Sequence, residues 1–317
     1  MAFTQVTLFI IIIYGIFNVI LGDQCAIGAL LREDNGQNGP RIVVYNLDDK
    51  TIINWSTEPN GISEPYNSIA VDHTNDILYT AQAGGDIWIY DIRTQLPSLL
   101  GNTSPNMNGL VYNDNDGYLY GLRASSICQI SVTAPISTDC NYGTIFTSGR
   151  GLMISKDGNY FYYVDYGVTI RRVPFNNPTV AGTETVINAA GIIWRWGFTH
   201  VESIAWLNDD PTDYRVVLGC DNVLFKYGIV ILDINTGKAK LLRRDIGFLT
   251  WITGVEPLYN DYDDCDELVP QDEPNICPCY MNINSTIKFD SYECCDVGIV
   301  LSSCDPDIEY GLKENEK

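Results

Sequence analysis

The chain has few basic residues and almost no histidine. Its 317 residues include 19 Lys and Arg against 40 Asp and Glu, a net charge of −21, and the only histidines are His73 and His200. A surface of this charge repels phosphate groups, so nucleic acids and anionic membranes are not expected as partners, whereas cations and basic proteins are. Two histidines also leave little room for a histidine-based catalytic triad.

The local signatures of common enzymes are absent as well. There is no Gly-x-Ser-x-Gly elbow, no Walker loop, no Gly-x-Gly-x-x-Gly fingerprint and no His-Glu-x-x-His motif. This absence counts against hydrolases that carry such signatures. It does not count against a metal-dependent enzyme whose ligands come from separated strands. A non-enzymatic protein is therefore favoured over an enzyme.

Long apolar runs are confined to the N-terminus, where residues 6–21 read VTLFIIIIYGIFNVIL. The run has the length of a signal-peptide core with its flanks and is short for a bilayer span of ~20 residues. The small residue Gly22 suits signal peptidase. No Lys or Arg precedes the run, so an uncleaved anchor is the alternative. We predict a signal peptide over residues 1–22, a secreted extracellular protein, and no membrane span after signal cleavage.

The chain has ten cysteines, and six of them lie between residues 265 and 304. Their number indicates that the protein folds in an oxidising compartment. An even set behind a leader predicts disulfides rather than metal ligands, since the chain has no Cys-x-x-Cys pair. Cys128 and Cys140 flank one hairpin-like stretch and form a plausible local pair, which leaves Cys25 and Cys220 to each other or to the tail. The predicted disulfide cysteines are Cys25, Cys128, Cys140, Cys220, Cys265, Cys277, Cys279, Cys294, Cys295 and Cys304. Predicted N-glycosylation sites are Asn54, Asn102 and Asn284.

A repeated pattern is the most informative feature of the chain. A small residue, an apolar strand, a polar turn and a second, Tyr-rich strand recur with spacings of 41, 42, 52 and 51 residues. The copies start at Asn67, Asn108, Arg150, Glu202 and, in partial form, Thr253. Four short strands every ~40–50 residues is the period of a β-propeller blade.

The ends of the repeat region predict how the propeller closes. The region opens with three strands near residues 26–55 and ends with a lone first strand near residues 254–259. Pairing them completes one blade and removes exposed sheet edges. We predict an all-β fold with five blades; six remain an alternative, because residues 175–201 are long enough to hold irregular strands. The predicted domains are the propeller (23–259), an acidic cysteine-rich module (260–308) and a flexible tail (309–317).

The repeat resembles known propeller groups. The segments SIAVD (68–72) and ILYT (77–80) are similar to the repeat of extracellular YWTD and NHL propellers. The strand starts Asn108-Gly-Leu and Arg150-Gly-Leu resemble calcium-dependent lactonase propellers of the SMP-30 and gluconolactonase type. In that type a Glu, two Asn and an Asp at strand starts bind the metal. The resemblance thus implies Asn67, Asn108 and Glu202 as calcium ligands.

Arg150 departs from this ligand pattern, because it brings a positive charge to an equivalent strand start. We expect it to pair with Glu202, which would neutralise the channel mouth and favour a non-enzymatic channel. The simplest alternative is that these polar residues cap turns and face channel water. Aromatic and basic residues in a long irregular segment are a second candidate site, for a sugar or protein ligand, with Arg150 as a further contact. They are Trp194, Arg195 and Trp196.

Three functions are compatible with these features. The favoured one is a secreted non-enzymatic binding or extracellular-matrix glycoprotein that uses the propeller as an interaction scaffold for an extracellular protein or glycan. The first alternative is a calcium-dependent lactonase-like or esterase-like propeller enzyme. The second is an acidic matrix protein that associates with calcium, mineral or basic proteins through its C-terminal region, where residues 256–317 carry a net charge of −13. No cofactor is expected for the favoured function, and calcium is the alternative.

Overall fold

The computed structural model describes residues 25–34, 37–48, 52–54, 66–104, 106–145, 149–165, 167–222, 226–246, 250–259 and Cys265. These residues form five four-stranded antiparallel sheets, which are the blades of a β-propeller. The predicted fold class and the count of five are therefore confirmed.

Each of blades 1 to 4 is built from four consecutive strands. Blade 1 contains β4 (Tyr66–Asp72), β5 (Ile77–Gln82), β6 (Asp86–Asp91) and β7 (Pro97–Asn102). Blade 2 contains β8 (Leu110–Asn113), β9 (Tyr118–Arg123), β10 (Ser126–Ser131) and β11 (Thr138–Thr144). Blade 3 contains β12 (Gly149–Ile154), β13 (Tyr160–Asp165), β14 (Thr169–Pro174) and β15 (Glu184–Asn188). Blade 4 contains β16 (His200–Trp206), β17 (Arg215–Asn222), β18 (Lys226–Asp233) and β19 (Ala239–Ile246).

The fifth blade joins the two ends of the repeat region. Its strands are β20 (Thr250–Pro257), β1 (Cys25–Asp34), β2 (Gln37–Asn46) and β3 (Ile52–Asn54), in that order across the sheet. Strand β20 pairs with β1 in antiparallel register, with Ala26 opposite Pro257. The predicted closure is confirmed, and β20 and β1, which would otherwise be free sheet edges, pair with each other.

Short polar turns connect the strands within each blade. Asp72 accepts hydrogen bonds from the backbone N of Thr74 and Asn75 at 3.1 and 3.0 Å, and such aspartate turns reverse the chain without distorting the strands. Residues 114–117, whose Asp-x-Asp-Gly spacing also suggests a calcium loop, form a hairpin turn of the same kind. There the Asp116 carboxylate accepts bonds from Tyr118 N and from the Tyr120 hydroxyl, at 3.0 and 2.7 Å.

Apolar side chains pack between neighbouring blades and form the core. The largest cluster joins blades 3 and 4 and includes Val164, Ile193, Phe198 and Cys220. Near the axis the blades approach so closely that Gly151, at φ +56°, has no space for a side chain. An added Cβ would lie 2.9 Å from the backbone N of Ile204 in blade 4.

The long segment from 175 to 201 does not contain an extra blade. It holds a 3₁₀ turn (Val180–Gly182), strand β15, a short helix α1 (Ala190–Ile193) and a second 3₁₀ turn (Trp194–Trp196). Residues 190–196 therefore form a helical connection from blade 3 to blade 4. No helix in the described residues is long and apolar enough to cross a membrane.

Two disulfides lie within the described residues. Cys128–Cys140 spans blade 2, as predicted from its position, and Cys25–Cys265 ties the first strand to the segment after β20. The prediction of a disulfide at Cys220 is wrong: it is a free thiol, and the apolar cluster that surrounds it between blades 3 and 4 contains no second cysteine.

Several predictions fall outside the described residues. They are the signal peptide (1–22), the cysteine-rich module (260–308) apart from Cys265, the flexible tail (309–317), the glycosylation site Asn284, and the cysteines Cys277, Cys279, Cys294, Cys295 and Cys304.

Candidate functional site at the channel mouth

The innermost strands begin at one end of the propeller, and four of them carry a β-bulge there. Asn67, Glu202 and Thr253 are each the extra residue at a register shift. In blade 3 the shift falls one residue later, at Gly151. A bulge turns a side chain out of the regular alternation between the two sheet faces. The bulges thus turn Asn67, Glu202 and Thr253 out of the regular sheet faces, and Asn108 and Arg150 hold the equivalent places in blades 2 and 3. We call these five strand starts the channel mouth.

Arg150 and Glu202 form an ion pair across neighbouring blades. The Arg150 Nη1 donates to Glu202 Oε2, as expected from their equivalent places in successive repeats. The Arg150 side chain is 56% exposed and that of Glu202 is 8% exposed. The guanidinium thus neutralises a nearly buried carboxylate at the mouth.

The two asparagines of the predicted calcium set belong to the channel mouth. Both are half-buried. The backbone of Asn108 makes two hydrogen bonds. Its N donates to Leu122 O in the same blade at 2.7 Å, and its O accepts from Gly151 N in blade 3 at 3.1 Å. Calcium binding by Asn67, Asn108 and Glu202 stays a prediction.

A second group of ionisable side chains surrounds Glu202. His200 is the first residue of β16 and lies opposite Asp221 of β17 in the register of blade 4. One potential ligand atom from each of His200, Glu202 and Asp221 can be chosen so that all three lie within 4.8 Å of one another. The His200 Nδ1 is 3.6 Å from Asp221 Oδ1 and 2.9 Å from Thr199 Oγ1. We call His200, Glu202 and Asp221 the blade 4 cluster.

Burial changes the ionisation of this cluster. Desolvation raises the pKa of Asp221 to about 6, although the positive charge of Arg150 acts in the opposite direction. Desolvation, together with the same Arg150 charge, lowers the pKa of His200. At neutral pH the cluster therefore holds an ionised Asp221 beside an uncharged imidazole.

Blade 3 shows how an equivalent carboxylate is otherwise satisfied. Asp165 lies opposite Gly149 at the place that Asp221 occupies opposite His200. It accepts a hydrogen bond at 2.5 Å from Arg171, which also donates to a threonine hydroxyl. Sequence reasoning missed Asp221, although the strands ending in YVD (163–165) and GCD (219–221) offered a repeat-based signal for it.

The opposite end of the innermost strands holds the other histidine. The His73 ring stacks on Tyr259, with ring centroids 4.0 Å apart, and the Tyr259 hydroxyl donates to Trp206 O at 3.0 Å. His73 follows β4 in a polar turn, yet its ring is only partly exposed, because Tyr259 covers it. Desolvation lowers the pKa of His73 to about 4.

The predicted aromatic ligand site divides into an exposed and a buried part. Trp194 is 59% exposed and Arg195 is also exposed, whereas Trp196 packs partly buried against the core between blades 3 and 4. The Arg195 guanidinium lies 5.8 Å from the Trp196 ring centre. Trp194 and Arg195 are thus the exposed residues of this segment, and ligand binding by them, by Trp196 and by Arg150 stays a prediction.

Two predicted glycosylation sites lie in described strands. Asn54 ends β3, and Asn102 ends β7 with an exposed side chain. The Asn102 Nδ2 donates to Asp86 Oδ1 at 2.6 Å and to Gly84 O at 3.0 Å.

Comparison with known proteins identifies no family for the chain. No family model matches the chain, and no curated protein matches it. Among solved structures, TolB from Acinetobacter baumannii is 16% identical, with a TM-score of 0.44 over 73% of this chain and 56% of that one. A proposed 6-phosphogluconolactonase from Bacteroides uniformis is 11% identical, with a TM-score of 0.41 over 72% of this chain and 84% of that one. A Bacteroides thetaiotaomicron protein of unknown function is 17% identical, with a TM-score of 0.42 over 56% of this chain and 50% of that one. The chain thus spans about half the length of TolB and of this last protein. At the level of the fold, the resemblance to propellers rests on the five four-stranded sheets of the chain itself.

Proposed function

We propose that this protein is a secreted, non-enzymatic binding or extracellular-matrix glycoprotein that uses its five-bladed propeller as an interaction scaffold. The observation that carries the non-enzymatic part is the Arg150–Glu202 ion pair. A lactonase-type site needs the strand-start carboxylate as a free ligand for calcium. Here a guanidinium already neutralises that carboxylate, and Asn67 and Asn108 bring no further negative charge, so calcium bound by this set would have to compete with Arg150.

The disulfides support an extracellular place of action. The protein has the disulfides Cys25–Cys265 and Cys128–Cys140. Disulfides persist in oxidising compartments and are rare in cytosolic proteins. This agrees with the predicted signal peptide over residues 1–22 and with the sequons at Asn54, Asn102 and Asn284.

An exposed tryptophan indicates where an extracellular partner would bind. Trp194 presents more than half of its surface to solvent, and Arg195 follows it directly. Trp and Arg are the residue types that most often dominate binding energy at interfaces. The underlying Trp196 packs into the core, so the pair is presented on a fixed support. We propose this segment as the contact for a protein or glycan partner.

Calorimetry with Ca²⁺ on the full-length secreted protein tests the non-enzymatic assignment. We expect Ca²⁺ binding to be the same for the wild type and for Glu202→Gln, because the acidic C-terminal region accounts for it. Glu184→Gln is the matched control, since Glu184 is also paired with an arginine, Arg172, but lies in blade 3 away from the mouth. One-to-one binding that Glu202→Gln abolishes, together with Ca²⁺-dependent hydrolysis of a lactone, would establish the enzyme instead.

A binding panel tests the scaffold assignment. Purified matrix proteins and defined extracellular glycans are immobilised and probed with the wild type, with Trp194→Ala and with Val180→Ala. Val180 is the matched control because it is also an exposed apolar residue, 45% accessible, on the preceding 3₁₀ turn. We expect Trp194→Ala alone to weaken a specific interaction, by at least about 10-fold for a tryptophan hot spot. Equal binding by both variants would remove Trp194 from the proposed contact.

A further inference from the structure

The blade 4 cluster combines an imidazole with two carboxylates, and this set differs from the calcium set implied by resemblance. Both carboxylates and the histidine belong to the first two strands of one blade, β16 and β17. The Asn67, Asn108 and Glu202 set instead spans three blades and offers oxygen atoms only. An imidazole beside carboxylates suits zinc and related divalent transition metals, whereas calcium prefers oxygen ligands alone.

Asp221 is a buried carboxylate without a hydrogen-bond donor in the described part of the chain. Its side chain is 9% exposed, and His200 Nδ1 lies 3.6 Å from its Oδ1. That distance is too long for a good hydrogen bond. It is close to the separation of about 3.4 Å between two ligands of a tetrahedral zinc ion with bonds near 2.1 Å. The equivalent Asp165 in blade 3, by contrast, is satisfied by Arg171.

The Arg150 contact leaves part of Glu202 available. The guanidinium contacts Oε2, and no hydrogen bond to Oε1 is found among the residues that the structure describes. A carboxylate can bind a metal through one oxygen while the other accepts a hydrogen bond, and such outer contacts orient metal ligands. Arg150 would then be a positioning residue for Glu202.

We propose that His200, Glu202 and Asp221 bind one divalent transition-metal ion of the zinc class at the wall of the channel mouth. One potential ligand atom from each residue lies within 4.8 Å of the other two, so closure around an ion requires side-chain movements on the order of 1 Å. Three protein ligands leave one tetrahedral position for water or for a donor from a partner. The site does not depend on the proposed scaffold function, and its loss would leave that function intact.

Imidazole resonances in NMR spectra of the full-length protein test the site directly. The chain has two histidines, so His200→Gln assigns both ring signals. One equivalent of Zn²⁺ at pH 7.5 is expected to shift the ring signals of His200 and to leave those of His73 unchanged. This readout is insensitive to Zn²⁺ that binds the acidic, cysteine-rich C-terminal region. Unchanged His200 signals at saturating Zn²⁺ would overturn the proposal.

Calorimetry with Zn²⁺ on variants tests the other ligands. Asp221→Asn is expected to lower the affinity of the His200-linked site by at least about 10-fold, the scale of losses at metal sites. Asp165→Asn, at the equivalent place in blade 3, is the matched control and should bind Zn²⁺ as the wild type does. Equal affinity of both variants and the wild type would exclude Asp221 as a ligand and overturn the three-residue site.

Discussion

Acidification should destabilise the propeller through His73. The ring is stacked on Tyr259, and the resulting desolvation lowers its pKa from 6.5 to about 4. The negative charges of Asp72, Asp76 and Asp209 act in the opposite direction but do not offset the burial. Protonation therefore costs more free energy in the folded state than in the unfolded state.

The sign and size of the effect follow from linkage. A histidine with a depressed folded-state pKa contributes its full stability above the unfolded value of 6.5, and loses it as the pH falls towards 4. Between pH 7.5 and pH 5 the unfolded chain gains most of one proton that the folded chain does not take up. The wild type should lose about 2 kcal/mol of unfolding free energy over this range through His73 alone.

Urea unfolding of the wild type and of His73→Gln at pH 7.5 and pH 5.0 measures the effect. The variant lacks the titrating ring, so its stability should fall by about 2 kcal/mol less than that of the wild type. Buried carboxyl groups such as Asp221, whose pKa is raised, titrate in both proteins and cancel in the comparison. Parallel pH dependence of the two proteins would refute the reasoning, as would an NMR titration that places the His73 pKa near 6.5.

Cysteine chemistry provides the other predictions. Burial raises the pKa of the Cys220 thiol, so a thiol reagent at pH 8 should modify it only after denaturation; rapid labelling of native protein would contradict its placement in the core. Replacing Cys25 and Cys265 by Ser should cost about 5 kcal/mol of stability in urea unfolding, and replacing Cys128 and Cys140 about 3 kcal/mol. The reason is that the first bridge closes a sequence separation of 240 residues and the second one of 12. Equal losses would contradict this loop-entropy explanation.

The ion pair at the mouth could be predicted because it depends on the repeat. Arg150 and Glu202 occupy the same place in successive copies, so neighbouring blades bring them together whatever the details of the turns. The blade 4 cluster could not be predicted in this way. The cluster depends on the register between β16 and β17, which places His200 opposite Asp221. It also depends on the bulge at Glu202, which leaves that residue without a cross-strand partner. Sequence analysis accordingly found no partner for His200.

The sequence by itself determined the blades, the turns and the closure. Strands and turns are encoded locally, by alternating apolar residues and by Asp, Asn and Gly at the turns. Because this unit recurs five times, the apolar faces of the sheets are buried by packing blade against blade, and β20 is left to pair with β1. The local bridge Cys128–Cys140 belongs to the same level. Only the tertiary structure decided that Cys25 bonds to Cys265, that Cys220 stays a thiol, and that Tyr259 covers His73. Each of these depends on which side chains from distant parts of the chain meet in the folded protein, and local sequence propensities do not determine that.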